Sequence, residues 1–166
     1  RSSLVGSEMC IRDSQKPLNF LSLIFTPNQD SNLIFQIGWT FLRVISGVMI
    51  IHNGFDKLAD VEGFASHVVS ETLGFPFPTF LTYCAAYTQI VGAILLILGL
   101  LTRPAAIALL FVMMVAIYFH LREDGFVVSS FETASLYATM YLFCFFNGGG
   151  SFSLDRLIAQ KVGNSD

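Results

Sequence analysis

Four long apolar segments, separated by short stretches of glycine, proline and charged residues, constrain the fold of this chain more than any other feature. They cover residues 33–51, 77–101, 104–121 and 131–146. An apolar helix of roughly 17–25 residues, rising about 1.5 Å per residue, crosses the ~30 Å hydrocarbon layer of a bilayer. The pattern therefore predicts an all-α membrane protein, folded as an up-down-up-down bundle of four transmembrane helices.

The composition agrees, because too few charged residues are present to cover a water-soluble domain. Charged residues make up 13% of the 166 residues, against roughly 25% in ordinary soluble domains. The net charge is −3 and the nine Lys and Arg residues form no cluster, which excludes nucleic acid as a partner. Cys10, Cys84 and Cys144 show neither metal-ligand spacing nor the even number of a disulfide framework, so no metal site is expected.

The expected organisation has a leader, an N-terminal segment, a membrane domain and a tail. Residues 1–14 lack an apolar period and resemble read-through of a sequencing adapter, so we expect a non-native leader, followed by an N-terminal segment over 15–30. A four-helix transmembrane domain covers 31–147, and 148–166 form a C-terminal cytoplasmic tail. Within the domain, the expected spans are 33–55, 77–101, 104–121 and 130–146, with an amphipathic linker over 60–73.

The residues between the spans predict how the helices begin and end. Pro104 fits the first turn of the third span, and the glycines at 148–150 fit the end of the fourth. Ser153 fits the N-cap of a short amphipathic helix in the tail. The linker alternates acidic and apolar residues at helical spacing, so we expect it to lie on the membrane surface.

The distribution of basic residues predicts the orientation of the chain. An even number of spans puts both termini on one side, and the cytoplasmic side carries the excess of Lys and Arg. The terminal side holds Lys16, Arg103, Arg156 and Lys161, whereas the other side holds Lys57 and Arg122. Both termini are therefore expected in the cytoplasm, and the membrane is expected to be a bacterial plasma membrane or a thylakoid.

Five polar side chains in or beside the spans are the candidate functional residues. A charged group at bilayer depth costs a few kcal/mol, so each one needs a partner. Arg43 and Gln89 lie about mid-helix in the first and second spans. His52, His120 and Glu132 lie where spans end or begin on the non-cytoplasmic side. The sequence predicts that the five form the catalytic site of one polar cavity in the outer half of the bundle.

Each of these residues also has a structural interpretation. His52 and His120 stand where helices leave the membrane, as snorkelling interfacial residues do. Arg43 and Glu132 can form a structural ion pair, and Gln89 can hold two helices together. Small residues one turn from Arg43 and Gln89, and hydroxyl residues on the stripe of Glu132, predict inward side chains. A shared cavity is therefore favoured over five separate structural explanations.

Five motifs in a fixed order resemble those of the DoxX family of small four-helix membrane proteins. They are LRVISGVMIIHNGFDKL, QIVGAILLILGLLTRPAA, AIYFHLREDGF, ETASLYATMYLF and NGGGSFSLD, and they cover residues 42–157. The residues that fall on the family pattern are Arg43, His52, Gly54, Lys57, Gly92, Gly99, His120, Glu132, Gly150, Ser153 and Asp155.

The resemblance implies an integral membrane protein linked to oxidoreductase systems and related to the DoxD subunit of thiosulfate:quinone oxidoreductase. Relatives usually carry Glu at the position of Gln89, and an amide forms hydrogen bonds but cannot ionise. If the chemistry of those relatives needs the carboxylate, its role is lost in this chain or falls to Glu132.

These observations favour a DoxX-like subunit of a membrane redox system, whose cavity contacts a quinone or a small sulfur-containing reductant. Arg43 would hold an anionic group. His52 and His120 would relay protons, and Glu132 would orient or accept one. The electrons must come from a quinone, another cofactor or a redox partner subunit, so the sequence leaves open whether the chain is itself an enzyme. A second copy of the chain is a further candidate partner.

Two other functions are alternatives to this one. In the first, the chain is a non-catalytic assembly or anchoring protein, whose polar cluster fixes the helix register and whose linker docks a partner. The second, a small-solute transporter, is disfavoured because four spans leave little room for the inverted repeats of many carriers. In addition, no span is visibly broken near mid-membrane.

Overall fold

The structure of the protein is a computed structural model that describes residues 32–163, which are mainly helical and include no strand. The expected leader over 1–14 and the N-terminal segment over 15–30 lie outside the described residues. The elements are α1 (Leu33–Ala59), α2 (Val61–Phe64), a π-helical segment (Ala65–Thr72), α3 (Pro78–Leu98), α4 (Thr102–Glu123), α5 (Val128–Asn147) and α6 (Leu154–Gly163). The prediction of an all-α fold is confirmed.

Three of the described helices are long and apolar enough to cross a membrane: α1, α3 and α4. They confirm a membrane-embedded protein and correspond to the first three expected spans. Helix α5 has 20 residues and packs along α4. Serine, threonine and glutamate residues in its first half make it less apolar than the other three.

Helices α1 and α3 pack closely through glycine. Gly47 lies against Ile97, and Gly54 lies against Ile90, where a Cβ atom on Gly54 would come within 2.6 Å of Ile90 Cγ1. The later residue of α1, Gly54, contacts the earlier residue of α3, Ile90, so the two helices are antiparallel. Small residues permit this approach of two backbones, as the sequence predicted.

The bundle consists of two helix pairs. Helix α1 packs along α3 and α4 packs along α5, whereas α1 contacts α5 only sparsely. The pairs meet along α3 and α4, where Gly92 lies against Leu109. Buried apolar residues of all four helices form one core, among them Ile50, Leu96 and Tyr141. Space remains between the pairs where α1 and α5 do not close on each other.

Helix α1 is shifted along its axis relative to α3, towards the end of the molecule that carries the C-terminal tail. Because Gly47 lies beside Ile97, the turn after α3 is level with Arg43, and a Cβ atom on Gly99 would contact the Arg43 guanidinium. Residues 33–42 of α1 therefore extend about 15 Å beyond α3, at ~1.5 Å per residue. The loop after α5 packs against this extension.

The linker lies at the opposite end of the molecule, just beyond the last residue of α1. It is helical and packs against α3 and α4. Its expected place on the membrane surface stays a prediction. Its apolar side is used inside the protein, where Val69 and Leu73 are buried. His67 Nε2 lies 3.1 Å from Glu123 Oε1 and links the π-helical segment to the end of α4.

The helix ends agree with the sequence signals. Helix α4 begins at Thr102, which places Pro104 in its first turn. Gly148 has φ +67° and closes α5 by donating its N–H to the Cys144 carbonyl oxygen. Ser153 Oγ accepts from the N–H of Arg156 at 3.3 Å, which confirms the predicted cap of α6.

Candidate functional site

A cavity of about 570 Å³ lies between the two helix pairs, beneath the linker; we call it the linker-end cavity. Phe64, Val68 and Phe75 cover it, and aliphatic and aromatic side chains of α3, α4 and α5 form most of its walls. Sites for small organic ligands have volumes of about 300–1,000 Å³ and mainly apolar walls. The linker-end cavity is therefore large enough for a ring-sized ligand.

Gln89 supplies the most deeply buried polar group of the cavity wall. The residue is 1% exposed and its Oε1 atom has no hydrogen-bond partner. Gly92 and Ala93, on the same side of α3, are buried against neighbouring helices as predicted. A buried polar atom without a partner costs about 1–3 kcal/mol. A ligand that hydrogen-bonds the amide would remove that cost.

His120 lies in the wall of the same cavity, at the end of α4. Its Nδ1 atom is 3.7 Å from Asp124 Oδ2, too long for a hydrogen bond, and its ring contacts that of Phe119 edge-on. The structure thus brings two of the five candidates, Gln89 and His120, to one cavity.

His52 and Glu132 do not line the linker-end cavity. Both side chains are exposed, on the outer sides of α1 and α5. The prediction that Glu132 points inward is wrong, because α5 turns Ala138, Tyr141 and Cys144 to the core instead. The larger apolar surface on that side of the helix decides which face is buried.

Arg43 lies at the opposite end, in a group that we call the tail-end cluster: Arg43, Gly99, Gly149, Phe152 and Asp155. Its guanidinium, 1% exposed, donates from Nη1 to the Gly149 oxygen and from Nη2 to the Phe152 oxygen, the latter at 2.9 Å. The expected position of Arg43 in the cavity is therefore wrong. The shifted register of α1 places this residue level with the turn between α3 and α4.

Asp155 joins the tail to that turn. The carboxylate, 2% exposed, accepts from the Leu101 N–H at 2.7 Å and from the Thr102 N–H and hydroxyl at 3.0 and 2.9 Å. Asp155 thus caps α4 from a distant part of the chain, where a negative charge also suits the helix dipole. The two Nη atoms of Arg43 and the Asp155 carboxylate have partners within the chain, whereas Arg43 Nε has none, so these contacts of the tail-end cluster are structural.

Two further side chains of α1 hold the loop after α5. Gln36 Oε1 accepts from the Ser151 N–H at 2.7 Å, and Trp39 Nε1 donates to the Gly148 oxygen at 3.2 Å. Gly150 has φ +73°, and a Cβ atom there would lie 2.7 Å from Trp39 Cδ1. The loop can therefore pack against this surface of α1 only with glycine at position 150.

Comparison with known proteins places the chain in a family. The family model described as DoxX matches residues 38–122, just over half of the 166 residues. The chain belongs to the DoxX family. The matched region contains α1 from Gly38 onward, the linker, α3 and most of α4, and thus most of the elements around the linker-end cavity.

Two relatives support the DoxX assignment. A Haemophilus influenzae protein named "Uncharacterized protein" is 33% identical over 126 residues, which cover 73% of this chain and 90% of the relative. A Bacillus subtilis protein named "Putative oxidoreductase CatD" is 35% identical over 72 residues, which cover 43% of this chain and 51% of the relative. No solved structure matches the chain.

The cavity of this DoxX protein also includes residues that sequence reasoning did not select. Lys57 and Asn53, four residues apart on α1, line it together with Tyr137 and the free cysteine Cys84. The spacing of Asn53 and Lys57 shows that they share a helix face, but Lys57 resembles any basic residue at a helix end. Cys144, the second free cysteine of the described residues, is buried in the core.

Proposed function

We propose that this DoxX protein is a membrane subunit of an oxidoreductase system, and that its linker-end cavity binds a quinone in preference to a small sulfur-containing reductant. The observation that carries the proposal is the unpartnered side-chain oxygen of Gln89 in the wall of a mainly apolar cavity. A quinol, the reduced form of a quinone, offers a hydroxyl group that donates to this oxygen and a flat apolar ring that suits the apolar walls.

The polar groups of the cavity suit both redox forms of such a ligand. The Gln89 amide donates from its nitrogen to a quinone carbonyl and accepts at its oxygen from a quinol hydroxyl. His120, in the same wall, belongs to the residue type that exchanges protons near neutral pH. Gln89 would therefore bind an oxygen of the ring, and His120 would exchange protons with the ligand elsewhere in the cavity.

In this proposal two electrons and two protons would pass between a redox partner subunit and the quinone/quinol pair, because the cavity side chains supply only hydrogen bonds and apolar surface. The name of the Bacillus subtilis relative, which contains the word oxidoreductase, agrees with that assignment. Arg43 has no role in the proposed chemistry, because its guanidinium donates to the main-chain oxygens of Gly149 and Phe152.

Helix α5 is proposed as a fourth span, which completes an up-down-up-down bundle. It packs along α4, and its 20 residues measure about 30 Å at ~1.5 Å per residue. Four spans put both termini on one side, and the excess of basic residues there favours the cytoplasm. The membrane of this proposal is the bacterial plasma membrane, with the linker-end cavity on its outer side.

The proposal is tested by quantifying quinone in the gently purified protein after solvent extraction and chromatography. About one quinone per chain is expected for the wild type, and several-fold less for Gln89→Leu. The matched control is Gln160→Leu, the same change at an exposed position of α6. Equal and negligible quinone in all three proteins would overturn the proposal.

The tail-end cluster favours assembly as a second candidate function. A fully buried arginine that ties the tail to α1 is what a protein with a mainly architectural role requires. Under this alternative, Gln89→Leu leaves the activity of the partner complex unchanged, whereas loss of the Arg43 contacts dissociates it. Measuring both in membranes separates the two functions.

A further inference from the structure

The ammonium group of Lys57 is a second unusual feature of the linker-end cavity. It donates one hydrogen bond, to the Asn53 main-chain oxygen at 3.2 Å, and stands 5.0 Å from the centre of the Phe64 ring. Asn53 and Phe64 line the cavity as well, so the ammonium is held at its wall between α1 and the linker. The group can donate three hydrogen bonds, and the structure shows one of them.

The acidic residues around Lys57 do not neutralise it from inside the cavity. Among the described residues, no carboxylate lies within 4.0 Å of its nitrogen. The carboxylates at this end of the molecule are those of Asp56, Asp60, Glu62, Glu71, Glu123 and Asp124, and none of them lines the cavity. Asp56 and Asp60 instead line a smaller recess, which shares Asn53, Lys57, Phe64 and Val68 with the cavity. The charged lining of the cavity is therefore entirely basic.

We propose that Lys57 recognises an acidic oxygen on the ligand of the linker-end cavity. The site would then take molecules that carry one anionic oxygen, a carboxylate or a phenolate, on an apolar ring, in preference to uncharged analogues of the same shape. This inference rests on the proposed function and narrows its ligand class to quinones or quinols whose ring carries an ionised oxygen, such as a hydroxyquinone or a quinol that has lost one proton. The ring lies among the apolar walls, the acidic oxygen at Lys57, and a second polar group at Gln89.

The physical basis is the strength of charge-assisted hydrogen bonds in a site with little water. An ammonium and an anionic oxygen form shorter and stronger bonds than neutral pairs. Such a bond contributes enough to change binding by about tenfold. A lysine whose stem crosses apolar surface and whose head stands over an aromatic ring has already lost part of its water, which increases this contribution.

A pair of probes of one shape measures the preference directly. The full chain is placed in nanodiscs of neutral lipid and dialysed against 2-naphthoate or 2-naphthylmethanol, with uptake by empty nanodiscs subtracted. We expect the wild type to bind 2-naphthoate about tenfold more tightly than the alcohol. Lys57→Met should reduce that ratio to about one, and Lys57→Arg should retain most of it. Lys161→Met, the same change on exposed α6, should leave the ratio unchanged.

The outcomes separate this inference from the proposed function. Equal binding of the two probes to the wild type overturns the role of Lys57, even if quinone is extracted from the protein. Failure of both probes to bind overturns it too, and together with absent quinone it removes the proposed function as well. If Lys57→Met does not fold, the wild-type ratio and the Lys57→Arg ratio decide the question.

Discussion

The Arg43 guanidinium on α1 donates to the main-chain oxygen of Phe152, a residue 109 positions further along the chain. With the second bond, to Gly149, this contact ties the start of the membrane domain to its end. Asp155 continues the connection to the turn between α3 and α4. The most deeply buried charges of the described chain thus fix the positions of three helices relative to the tail.

Replacement of Arg43 should destabilise the protein strongly. Arg43→Met removes two charge-assisted hydrogen bonds and leaves the oxygens of Gly149 and Phe152 without these donors, at a cost of about 2–4 kcal/mol. The measurement is the free energy of unfolding in mild detergent. Arg122→Met, at an exposed site near the end of α4, should change it by less than about 0.5 kcal/mol. Equal stability of the two variants would contradict the structural role of Arg43.

Loss of the Asp155 carboxylate should loosen the start of α4. Asp155→Ala removes the cap of the Leu101 and Thr102 N–H groups and should cost about 1–2 kcal/mol, whereas Asp155→Asn should cost less because one acceptor remains. Hydrogen exchange of peptides covering 99–106 should be faster in the alanine variant. Asp124→Asn, at the other end of α4, is the control. Faster exchange of the 99–106 peptides in Asp124→Asn but not in Asp155→Ala would refute the cap.

The packing of α1 on α3 should not tolerate a methyl group at Gly54. Its Cβ atom would come within 2.6 Å of Ile90 Cγ1 and 3.0 Å of the Ala86 oxygen, so Gly54→Ala should cost about 1–3 kcal/mol. Gly38→Ala adds the same atom to the same helix where nothing lies within 4 Å. Thermal unfolding should separate the two variants, with Gly38→Ala unchanged or more stable. The reverse order would mean that α1 does not pack in this register.

The contact between His67 and Glu123 should hold the linker over the cavity. Both side chains are partly exposed, so the pair contributes about 0.2–1 kcal/mol, and His67→Leu should raise amide exchange in residues 61–75 up to about fivefold. Glu62→Gln serves as the control, because Glu62 lies on the same linker without a contact of this kind among the described residues. If both variants exchange like the wild type, the linker is held by its apolar contacts alone.

Much of the local structure was predictable because it depends on neighbouring residues. Apolar length predicted the helices, and Pro104, Gly148 and Ser153 predicted their ends, since helix termination follows from proline, glycine and hydroxyl chemistry over a few positions. The small residues beside Arg43 and Gln89 also predicted close helix contacts. The predicted inward orientation of Gln89 is confirmed by its burial, and Gln89 lines the linker-end cavity.

The positions of Arg43 and Glu132 could not be predicted in this way. Mid-helix placement of Arg43 assumed that the first helix begins level with its neighbours, whereas the packing of Gly47 and Gly54 shifts α1 by several turns. The face of α5 that carries Glu132 is one of several, and the neighbouring helices pack against a different face, the one with Ala138, Tyr141 and Cys144. Both errors concern relations between helices that a single segment does not contain.

Local patterns in the sequence are therefore sufficient to predict a membrane protein of long helices, the residues at which those helices end, and its family. The packing of the helices against one another brings Gln89, His120 and Lys57 to one cavity and places Arg43 and Asp155 in a support at the opposite end. Helix formation follows from contacts a few residues apart. The vertical register and the facing of packed helices depend on contacts between side chains that are distant in the chain, and these contacts create the site.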